Sequence, residues 1–357
     1  MPFGLYLHIP YCAAKCRYCD FYSPGGAAGV PEAYLARMEE ELAARLPGRP
    51  STLYFGGGTP GLLSPEQAAW LIRAAEPLPG AEITLETNPE LVSPPKLEGY
   101  LQAGVNRLSM GVQTAKDGTL ALLGRRHTAQ VARQALRQAR QAGFSNLCGD
   151  IMLALPGYSK GEFDATLELI AGEGASHISA YLLKIEPNTV FGRRPPPGLP
   201  DGDEAADFYL YAVEQLEKAG YAQYEISNFA KPGFEGRHNL IYWDCGDYLG
   251  LGPSAHSCMG GRRFYFEADR SAFLAGALPE KEEGTCTGED YILLRLRLRA
   301  GLHLPTLKAR YGLSFSPSKL SFMRQLAAAG YGTFDGETLA LTPRGLLVQN
   351  SILTELI

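Results

Sequence analysis

Short apolar runs alternate with longer helical patterns along the first two thirds of the chain. The short runs are rich in β-branched, leucine and aromatic residues and occupy residues 4–10, 51–57, 82–88, 107–113, 146–153 and 177–185. The segments between and after them repeat apolar positions with helical spacing, and they occupy residues 31–46, 64–76, 93–103, 129–142, 161–173 and 203–219. Strands that alternate with helices of this length predict parallel β/α units.

Local helix signals agree with this pattern. Ser64 precedes Pro65 and Glu66 at the start of "SPEQAAWLIRAA", an arrangement typical of a helix N-terminus. Six consecutive units predict an α/β fold, a partial (β/α)6 barrel resembling an incomplete TIM barrel. A flat, doubly wound sheet is the alternative. The stretch "GRRPPPGLPDGD" at 192–203 predicts a loop.

The C-terminal segment has a different pattern. "LPTLKARYG", "SPSKLSFMRQLAAAG" and "TPRGLLVQNSILTEL" predict helices, and "YGTFDGETLAL" predicts a hairpin that turns at Asp335 and Gly336. "LLRLRLRAGL" fits a strand or a helix. Together they predict a small winged-helix-like α+β domain. We therefore expect a barrel at 1–230, a connecting region at 231–285 and this domain at 286–357.

The composition restricts the class of protein. Of 357 residues, 45% are hydrophobic and 20% are charged, as in an ordinary globular enzyme, and the formal net charge is −5. Residues 303–357 carry five basic and three acidic side chains, which is too small an excess for a nucleic-acid footprint. We expect no nucleic acid as partner, and the C-terminal domain should be a lid over the barrel mouth or a docking surface.

The chain shows no pattern of membrane insertion or export. No apolar run approaches the roughly 18 residues of a membrane span. The start, "MPFGLYLHIPYC", lacks the basic flank and the apolar region of a signal peptide. We therefore expect no membrane span and a cytoplasmic protein whose thiols stay reduced. Seven cysteines, an odd number, also argue against a disulfide framework.

Unusual residues follow five of the predicted strands. The first strand leads into three cysteines, the second into "GGGTP" at 56–60, and the third into "ETNP" at 86–89. The fourth ends at Gln113, and the fifth carries Asp150. Because β/α barrels place their chemistry at the C-terminal ends of the strands, these features predict one large site.

The three cysteines predict an iron–sulfur cluster. Cys12, Cys16 and Cys19 are spaced C-x3-C-x2-C, and no fourth cysteine follows at zinc-finger spacing. Three thiolates can hold three irons of a [4Fe–4S] cube and leave the fourth iron open to an amino-acid ligand. Glu86 could bind an ammonium group or ribose hydroxyls, and Tyr18 could stack on a purine. A zinc site or a redox pair is the alternative.

The glycines of "GGGTP" let the backbone approach a ligand closely, because glycine has no Cβ atom. The backbone groups of this segment could then bind the amino and carboxylate groups of the ligand. We expect valine at Gly57 to enter the ligand site and to leave the cluster intact.

The cysteine spacing followed by "GGGTP" resembles radical S-adenosylmethionine (SAM) proteins. Longer phrases, including "LYLHIPYC", "YFGGGTPGLLS", "GVNRLSMGVQ" and "RHNLIYWDCGDYLGLGPSAHS", resemble the oxygen-independent coproporphyrinogen III oxidase family. The resemblance extends over essentially the whole chain. It implies a [4Fe–4S] cluster, SAM and an electron donor for the cluster.

Two features indicate which branch of this family the chain resembles. The oxidases typically have an extra cysteine two places after the third one, and Phe21 stands there in this chain. "HNLIYW" at 238–243 matches the HNxxYW motif of the heme chaperone branch. The resemblance implies binding of heme and its transfer to an unidentified acceptor protein, without oxidase activity. The alternatives are the oxidase, which decarboxylates coproporphyrinogen III, and a radical enzyme with another substrate.

The resemblance also implies roles for individual residues. It makes Cys12, Cys16 and Cys19 the cluster ligands and His238 an axial ligand of heme iron, with Tyr242 and Trp243 against the porphyrin. The positions that match SAM-contacting residues of the family are Tyr6, Tyr18, Gly57, Gly58, Thr59, Glu86, Gln113, Arg125 and Asp150. The last three match contacts to a second SAM molecule, and they could instead form a structural hydrogen-bond network. His238 could instead be a buried structural histidine.

Overall fold

Six parallel strands lie side by side in the order in which they occur in the sequence. The computed structural model describes residues 3–357. The strands of the large sheet are β1 (Gly4–Ile9), β2 (Thr52–Gly57), β3 (Glu82–Thr87), β4 (Arg107–Gln113), β5 (Asn146–Leu153), β6 (His177–Leu182), β7 (Ala222–Gln223), β8 (Asn228–Ala230), β9 (Tyr248–Leu251), β10 (His256–Met259), β11 (Arg262–Phe266) and β12 (Glu280–Thr285). The first six are the strands that the apolar runs predict.

The helices between these strands agree with the predicted ones to within one or two residues at each end. They are α1 (Glu32–Arg45), α2 (Pro65–Ala75), α3 (Pro94–Ala103), α4 (Asp117–Leu123), α5 (Ala129–Ala142), α6 (Lys160–Gly172), α7 (Val190–Arg193), α8 (Gly202–Lys218), α9 (Arg237–Trp243) and α10 (Arg270–Leu274). The sequence pattern missed the short helices α4, α7, α9 and α10. α2 begins with a capping box: the Ser64 hydroxyl accepts from the Gln67 backbone N–H at 3.2 Å.

The strand order confirms the partial barrel. A doubly wound sheet reverses its order after the first strands, whereas β1 to β6 are paired consecutively and in parallel. Consecutive right-handed crossovers put the helices on one face, where α1 packs against α2, α2 against α3, and α3 against α5. The barrel stays open because β6 pairs with the antiparallel β8 and β1 pairs with β9.

Strands β9 to β12 extend the sheet on the β1 side. They come from the predicted connecting region, and their apolar side chains belong to the same core as those of the barrel: Leu249, Leu251, Phe264 and Phe266. β9 is parallel to β1, and β10, β11 and β12 follow as antiparallel neighbours. The division of the chain into three domains stays a prediction.

The C-terminal residues form the predicted winged-helix-like domain around their own core. Its elements are α11 (Gly288–Arg295), β13 (Leu302–His303), α12 (Leu304–Tyr311), α13 (Pro317–Ala328), β14 (Gly332–Phe334), β15 (Thr338–Leu341), α14 (Pro343–Leu347) and α15 (Gln349–Leu356). The ambiguous stretch "LLRLRLRAGL" begins as helix α11 and becomes strand only at β13. The predicted hairpin turn is confirmed, with Gly336 at φ +103°.

The C-terminal domain contacts α9 and the turn between β7 and β8, and its residues are not among those that line the barrel cavity, so a lid over the barrel mouth stays a prediction. Arg295 and Arg310 both form ion pairs at 3.2 Å with Asp244, the residue after α9. Leu298 forms a bridge with Glu225, between β7 and β8. The two ion pairs lie on the side of the N-terminal ends of β1 to β3, where α9 packs, whereas Glu225 lies in the turn that precedes the pairing of Asn228 with Ser179 of β6. A docking surface for a partner stays a prediction.

Within residues 3–357 we find no helix of the length and apolarity that a membrane crossing requires.

Candidate functional site

A cavity of about 400 Å³ occupies the barrel interior and opens at the C-terminal ends of the strands. Eleven of the predicted site residues line it: Cys12, Cys16, Tyr18, Cys19, Gly57, Gly58, Thr59, Glu86, Gln113, Arg125 and Asp150. The predicted convergence of the strand ends on one site is therefore confirmed. The role of each residue stays a prediction.

Backbone hydrogen bonds on both sides position the cysteine loop. The Arg17 N–H donates to the Leu123 carbonyl at the end of α4 at 3.0 Å, and the Arg17 carbonyl accepts from Phe191 of α7 at 2.9 Å. Further along, the Ala27 N–H donates to the Cys12 carbonyl at 2.9 Å. The short helices α4 and α7, which the sequence pattern missed, thus hold the loop.

The "GGGTP" segment anchors the other side of the same loop. The Gly58 N–H donates to the Ile9 carbonyl at 2.9 Å, and the Thr59 N–H donates to the Tyr11 carbonyl at 2.8 Å. The Thr59 hydroxyl also lies 3.2 Å from Cys12 Sγ. These two N–H groups therefore hold the start of the cysteine loop and are not free for a ligand. Ligand binding by other backbone groups of the segment stays a prediction.

Gly57 and Gly58 are required by packing as well as by the cavity. A Cβ atom on Gly57 would lie 2.5 to 2.7 Å from three atoms of the His8 ring, and Gly57 has φ +103°. A Cβ atom on Gly58 would lie 2.6 Å from the Ile9 carbonyl oxygen. The expectation that valine at Gly57 would leave the cluster intact stays a prediction, and the overlap with His8 is a reason to test it.

Opposing effects act on the pKa values of the cysteine thiols. Burial raises the pKa of Cys16 and of Cys19, and the positive charges of Arg125 and Lys15 act against this effect. Among residues 3–357, no three His, Cys, Asp or Glu side chains form a group that could hold a metal ion. An iron–sulfur cube needs no such group, because each thiolate binds a different iron. The assignment of the three cysteines to such a cube stays a prediction.

Glu86 and Asp150 are the carboxyl groups that the sequence predicted on the cavity wall. The Tyr54 hydroxyl donates to Glu86 Oε1 at 2.7 Å, but burial is the larger effect and raises the pKa of Glu86 to about 7. Asp150 accepts from Ser109 at 3.0 Å, and burial raises its pKa as well. Glu86 can therefore gain or lose a proton near neutral pH when a charged ligand enters the cavity.

Gln113 and Arg125 form the wall below the cysteine loop. Gln113 ends β4 in a left-handed conformation, φ +68°, next to a register shift in the strand pairing. The Arg125 guanidinium donates to Asn88 Oδ1 at 3.0 Å and to the Tyr18 hydroxyl. A left-handed residue beside a strand irregularity, such as Gln113, is common at ligand sites. Because Tyr18 already packs against Arg125, stacking of its ring on a purine stays a prediction.

The cavity also contains polar residues that the sequence analysis did not identify. They include Tyr54, Asn88, Arg107, Ser109, Tyr181 and Asn239. Alternation within β4 offered a signal for some of them, because Arg107, Ser109, Gly111 and Gln113 share one face of the strand. Asn239 gave no such signal, since its helix approaches from a distant part of the chain.

A second cavity, of about 490 Å³, lies beside the first one, where β9 and β10 continue the sheet from β1. Its lining consists of Tyr6, His8, Asp20, Phe21, Tyr22, Tyr242, Tyr248, Ser254 and His256. Tyr6, which the resemblance assigned to SAM, lies here and is not among the residues that line the first cavity. Asp20 and Phe21 line both cavities, so the cysteine loop separates them.

His8 connects the cysteine loop to the wall of the second cavity. Burial lowers the pKa of His8 to about 4, so its ring is neutral near pH 7. Nε2 donates to the Tyr22 carbonyl at 2.9 Å, and Nδ1 therefore accepts from the Tyr6 hydroxyl at 3.0 Å. His8, in the segment "LHIPYC", therefore has a structural role of its own, because it connects Tyr22 to Tyr6.

The "HNLIYW" motif forms helix α9 at the N-terminal ends of the strands. The backbone N–H groups of Arg237 and His238 donate to the Glu82 carboxylate at 3.1 and 3.0 Å, at the start of β3. Because Gly236 offers no side-chain cap, this carboxylate satisfies the N-terminal donors of the helix.

His238 is buried, with 1% of its surface exposed. Its Nδ1 lies 2.7 Å from the Thr52 hydroxyl, and its Nε2 lies 2.5 Å from the Tyr242 hydroxyl. Burial lowers the pKa of His238 to about 3. Both ring nitrogens are therefore engaged, and ligation of heme iron by His238, still a prediction, would require one of these hydrogen bonds to break.

Three other residues of the "HNLIYW" motif lie in different surroundings. Asn239 lines the first cavity and Tyr242 lines the second one. Trp243 lines neither; the Arg297 guanidinium lies 5.5 Å from the centre of its ring. The predicted contact between Trp243 and a porphyrin therefore has no support from its position.

Comparison with known proteins identifies two family regions in the chain. Residues 6–170 match the radical SAM superfamily, and residues 288–348 match the HemN C-terminal domain. The heme chaperone HemW of Mycobacterium tuberculosis is 36% identical over 100% of this chain and 95% of its own length. HemW of Escherichia coli is 37% identical over 99% of this chain and 97% of its own length.

Among solved structures, the coproporphyrinogen III oxidase HemN of Escherichia coli has the same fold. The TM-score is 0.82, with 24% sequence identity, over 99% of this chain and 89% of that chain. The likeness includes the C-terminal domain, since it extends over nearly the whole chain. It agrees with the partial barrel and with its position relative to the smaller domain.

Proposed function

Because this chain belongs to the family of the heme chaperone HemW and carries a radical SAM domain, we propose that it binds heme and transfers it to an acceptor protein. The partners of the proposal are heme, an acceptor protein and an electron donor for the cluster. The free cysteines of the loop suit a reducing compartment, and we place the protein in the cytoplasm.

The first cavity supports the cofactor part of the proposal. Cys12, Cys16 and Cys19 would hold a [4Fe–4S] cluster, which supplies an open iron for the amino and carboxylate groups of SAM. Glu86 would accept hydrogen bonds from ammonium or hydroxyl donors of SAM. Asp150 and Arg125 also line this cavity and would orient polar groups of SAM there.

Phe21 is the observation that favours heme transfer over decarboxylation. It stands two residues after Cys19, where the oxidase pattern has a further cysteine, and its side chain is 66% exposed. Phe21 borders both cavities and presents an apolar surface to solvent. A phenyl ring there cannot act as a thiol, and it offers contact area to a planar apolar ligand.

We expect anaerobically reconstituted protein to bind one heme per chain and to leave coproporphyrinogen III unchanged in the presence of reductant and SAM. Heme titration by absorbance and a decarboxylation assay on the same preparation measure the two results. Transfer is then tested by incubating the heme-loaded protein with heme-free forms of heme proteins and following the heme by absorbance. Robust decarboxylation without heme binding would show that the oxidase alternative is the right one.

We expect the affinity for SAM to increase as the pH rises through about 7, the pKa to which burial raises Glu86. Below this pKa the group is a neutral carboxyl and loses its value as an acceptor for the ammonium group. Its ionised fraction rises about tenfold between pH 6 and pH 8, so affinity should rise by up to that factor. Calorimetric titration at several pH values measures the change.

Glu86→Gln is the matched control for this pH dependence. The amide has nearly the same shape but no proton to lose, so the part of the pH profile that belongs to Glu86 should disappear. The remaining slope then belongs to SAM itself and to other groups. Identical profiles for the two proteins would remove Glu86 from the proposed SAM site.

A further inference from the structure

We propose, as an extension of the heme function proposed above and resting on it, that heme occupies the second cavity and that His256 ligates its iron. The cavity has a volume of about 490 Å³, within the roughly 300–1,000 Å³ that is usual for ligand sites. It lies at the open edge of the barrel, next to the first cavity and separate from the predicted cluster ligands.

The walls of the second cavity suit a flat aromatic ligand. Five of its nine lining residues are aromatic side chains of the phenyl or phenol type: Tyr6, Phe21, Tyr22, Tyr242 and Tyr248. The rings of Tyr242 and Tyr248 meet edge to face, with centres 4.4 Å apart. Because the lining includes no lysine or arginine, the propionates of a heme would stay in solvent, with the porphyrin between the aromatic walls.

His256 has the surroundings of a metal-ligating histidine. Its side chain is 51% exposed, and its Nδ1 lies 3.3 Å from the Glu283 carboxylate. The ring stacks on Tyr265, its partner across the strands, at 5.2 Å between centres. Iron-binding imidazoles commonly donate their second N–H to a carboxylate, which fixes the tautomer and leaves Nε2 for the metal.

The other histidines are less suited to this role. His8, His177 and His238 are buried, and each has hydrogen-bond partners at both ring nitrogens. His127 is buried between the Val112 carbonyl and Glu90. His303 belongs to the C-terminal domain and does not line either cavity.

This assignment also gives the "HNLIYW" motif a role near heme without an iron bond to His238. The hydrogen bond between His238 Nε2 and the Tyr242 hydroxyl fixes the orientation of the Tyr242 ring. That ring forms part of the wall of the second cavity. His238 is therefore a positioning residue in this proposal, and its loss should act through stability and through the cavity wall.

Heme titration of the full, reconstituted chain tests the assignment. We expect His256→Ala to weaken heme binding about tenfold or more and to shift the Soret band, because the iron loses its imidazole. Glu283→Gln should weaken binding roughly tenfold, as is usual when the carboxylate behind a metal-bound histidine is removed. His303→Ala is the matched control and should keep both the affinity and the spectrum of the unmodified protein.

Two further variants separate ligation from structure. His256→Gly should regain the original Soret band when free imidazole is added, which a purely structural histidine would not allow. His238→Ala should lower the thermal midpoint by about 5 °C or more, because Thr52 and Tyr242 lose a buried partner, while its folded fraction keeps the Soret band.

The outcomes distinguish this assignment from the proposed function. If the unmodified protein binds no heme, both fail. If it binds heme, and His256→Ala keeps the affinity and the spectrum, the assignment to His256 is overturned and the heme function stands. Loss of the axial-ligand spectrum in His238→Ala with an unchanged thermal midpoint would likewise overturn it.

Discussion

Replacing Cys12, Cys16 or Cys19 with alanine should leave the reconstituted protein with almost no iron, against about four irons per chain in the unmodified protein. Each of the three thiols lines the first cavity, and each would bind a different iron of the cube. Loss of one ligand would leave two irons without a protein thiolate and open the cluster to solvent. Iron and acid-labile sulfide analysis after anaerobic reconstitution measures this effect.

Cys286→Ala is the matched control for the cysteine variants. Cys286 is also a free, half-buried cysteine, but it follows β12 and lies outside both cavities. The iron content of the Cys286→Ala protein should equal that of the unmodified protein. An equal loss of iron in Cys286→Ala would contradict a cluster held by the N-terminal loop alone, and so would full retention in Cys16→Ala.

Gly57→Val should abolish SAM binding and lower the free energy of unfolding by about 2–6 kcal/mol. The valine would need a left-handed backbone, and its Cβ would overlap the His8 ring. His8 holds the Tyr22 carbonyl and the Tyr6 hydroxyl, so a displaced ring would disturb the cysteine loop as well. Chemical denaturation, SAM calorimetry and iron analysis on the same variant measure the three effects.

Two other glycines separate the effect of backbone strain from the effect of overlap with a neighbouring side chain. Gly233 has φ +84° and no atom within 4 Å of an added Cβ, so Gly233→Val measures backbone strain without overlap. Gly48 has open space and no positive φ, and Gly48→Val should have little effect. If Gly57→Val loses no more stability than Gly233→Val and keeps its iron, the overlap with His8 has no consequence.

The barrel strands and most of their helices could be predicted from the sequence because their signals are local. Apolar runs of strand length recur between amphipathic segments, and caps such as Ser64 with Gln67 mark a helix start. Short elements such as α4, α7 and α9 could not be found in this way. Seven residues or fewer give too little periodicity, and packing against other elements decides whether they form.

The main features of the first site also follow from the sequence. Parallel strands bring their C-terminal ends to one edge, so residues after successive strands must meet there, as Cys12, Thr59, Glu86 and Gln113 do. The alternation of side chains along β4 also indicates that Arg107 and Ser109 lie on the cavity wall, although they are not among the predicted site residues. The cysteine spacing alone leaves both an iron–sulfur cluster and a zinc site open. The family resemblance added the identity of the expected cofactors.

The sequence by itself therefore determined the class of fold, the order of its units and eleven of the residues that line the first cavity. The tertiary structure decided where distant segments return to the barrel. α9 lies at the N-terminal ends because the Glu82 carboxylate satisfies its first N–H groups, and this position buries His238. β9 to β12 bring His256 and Tyr248 beside Tyr6. Such long-range contacts depend on complementary surfaces between segments far apart in the chain, and local periodicity carries no information about them.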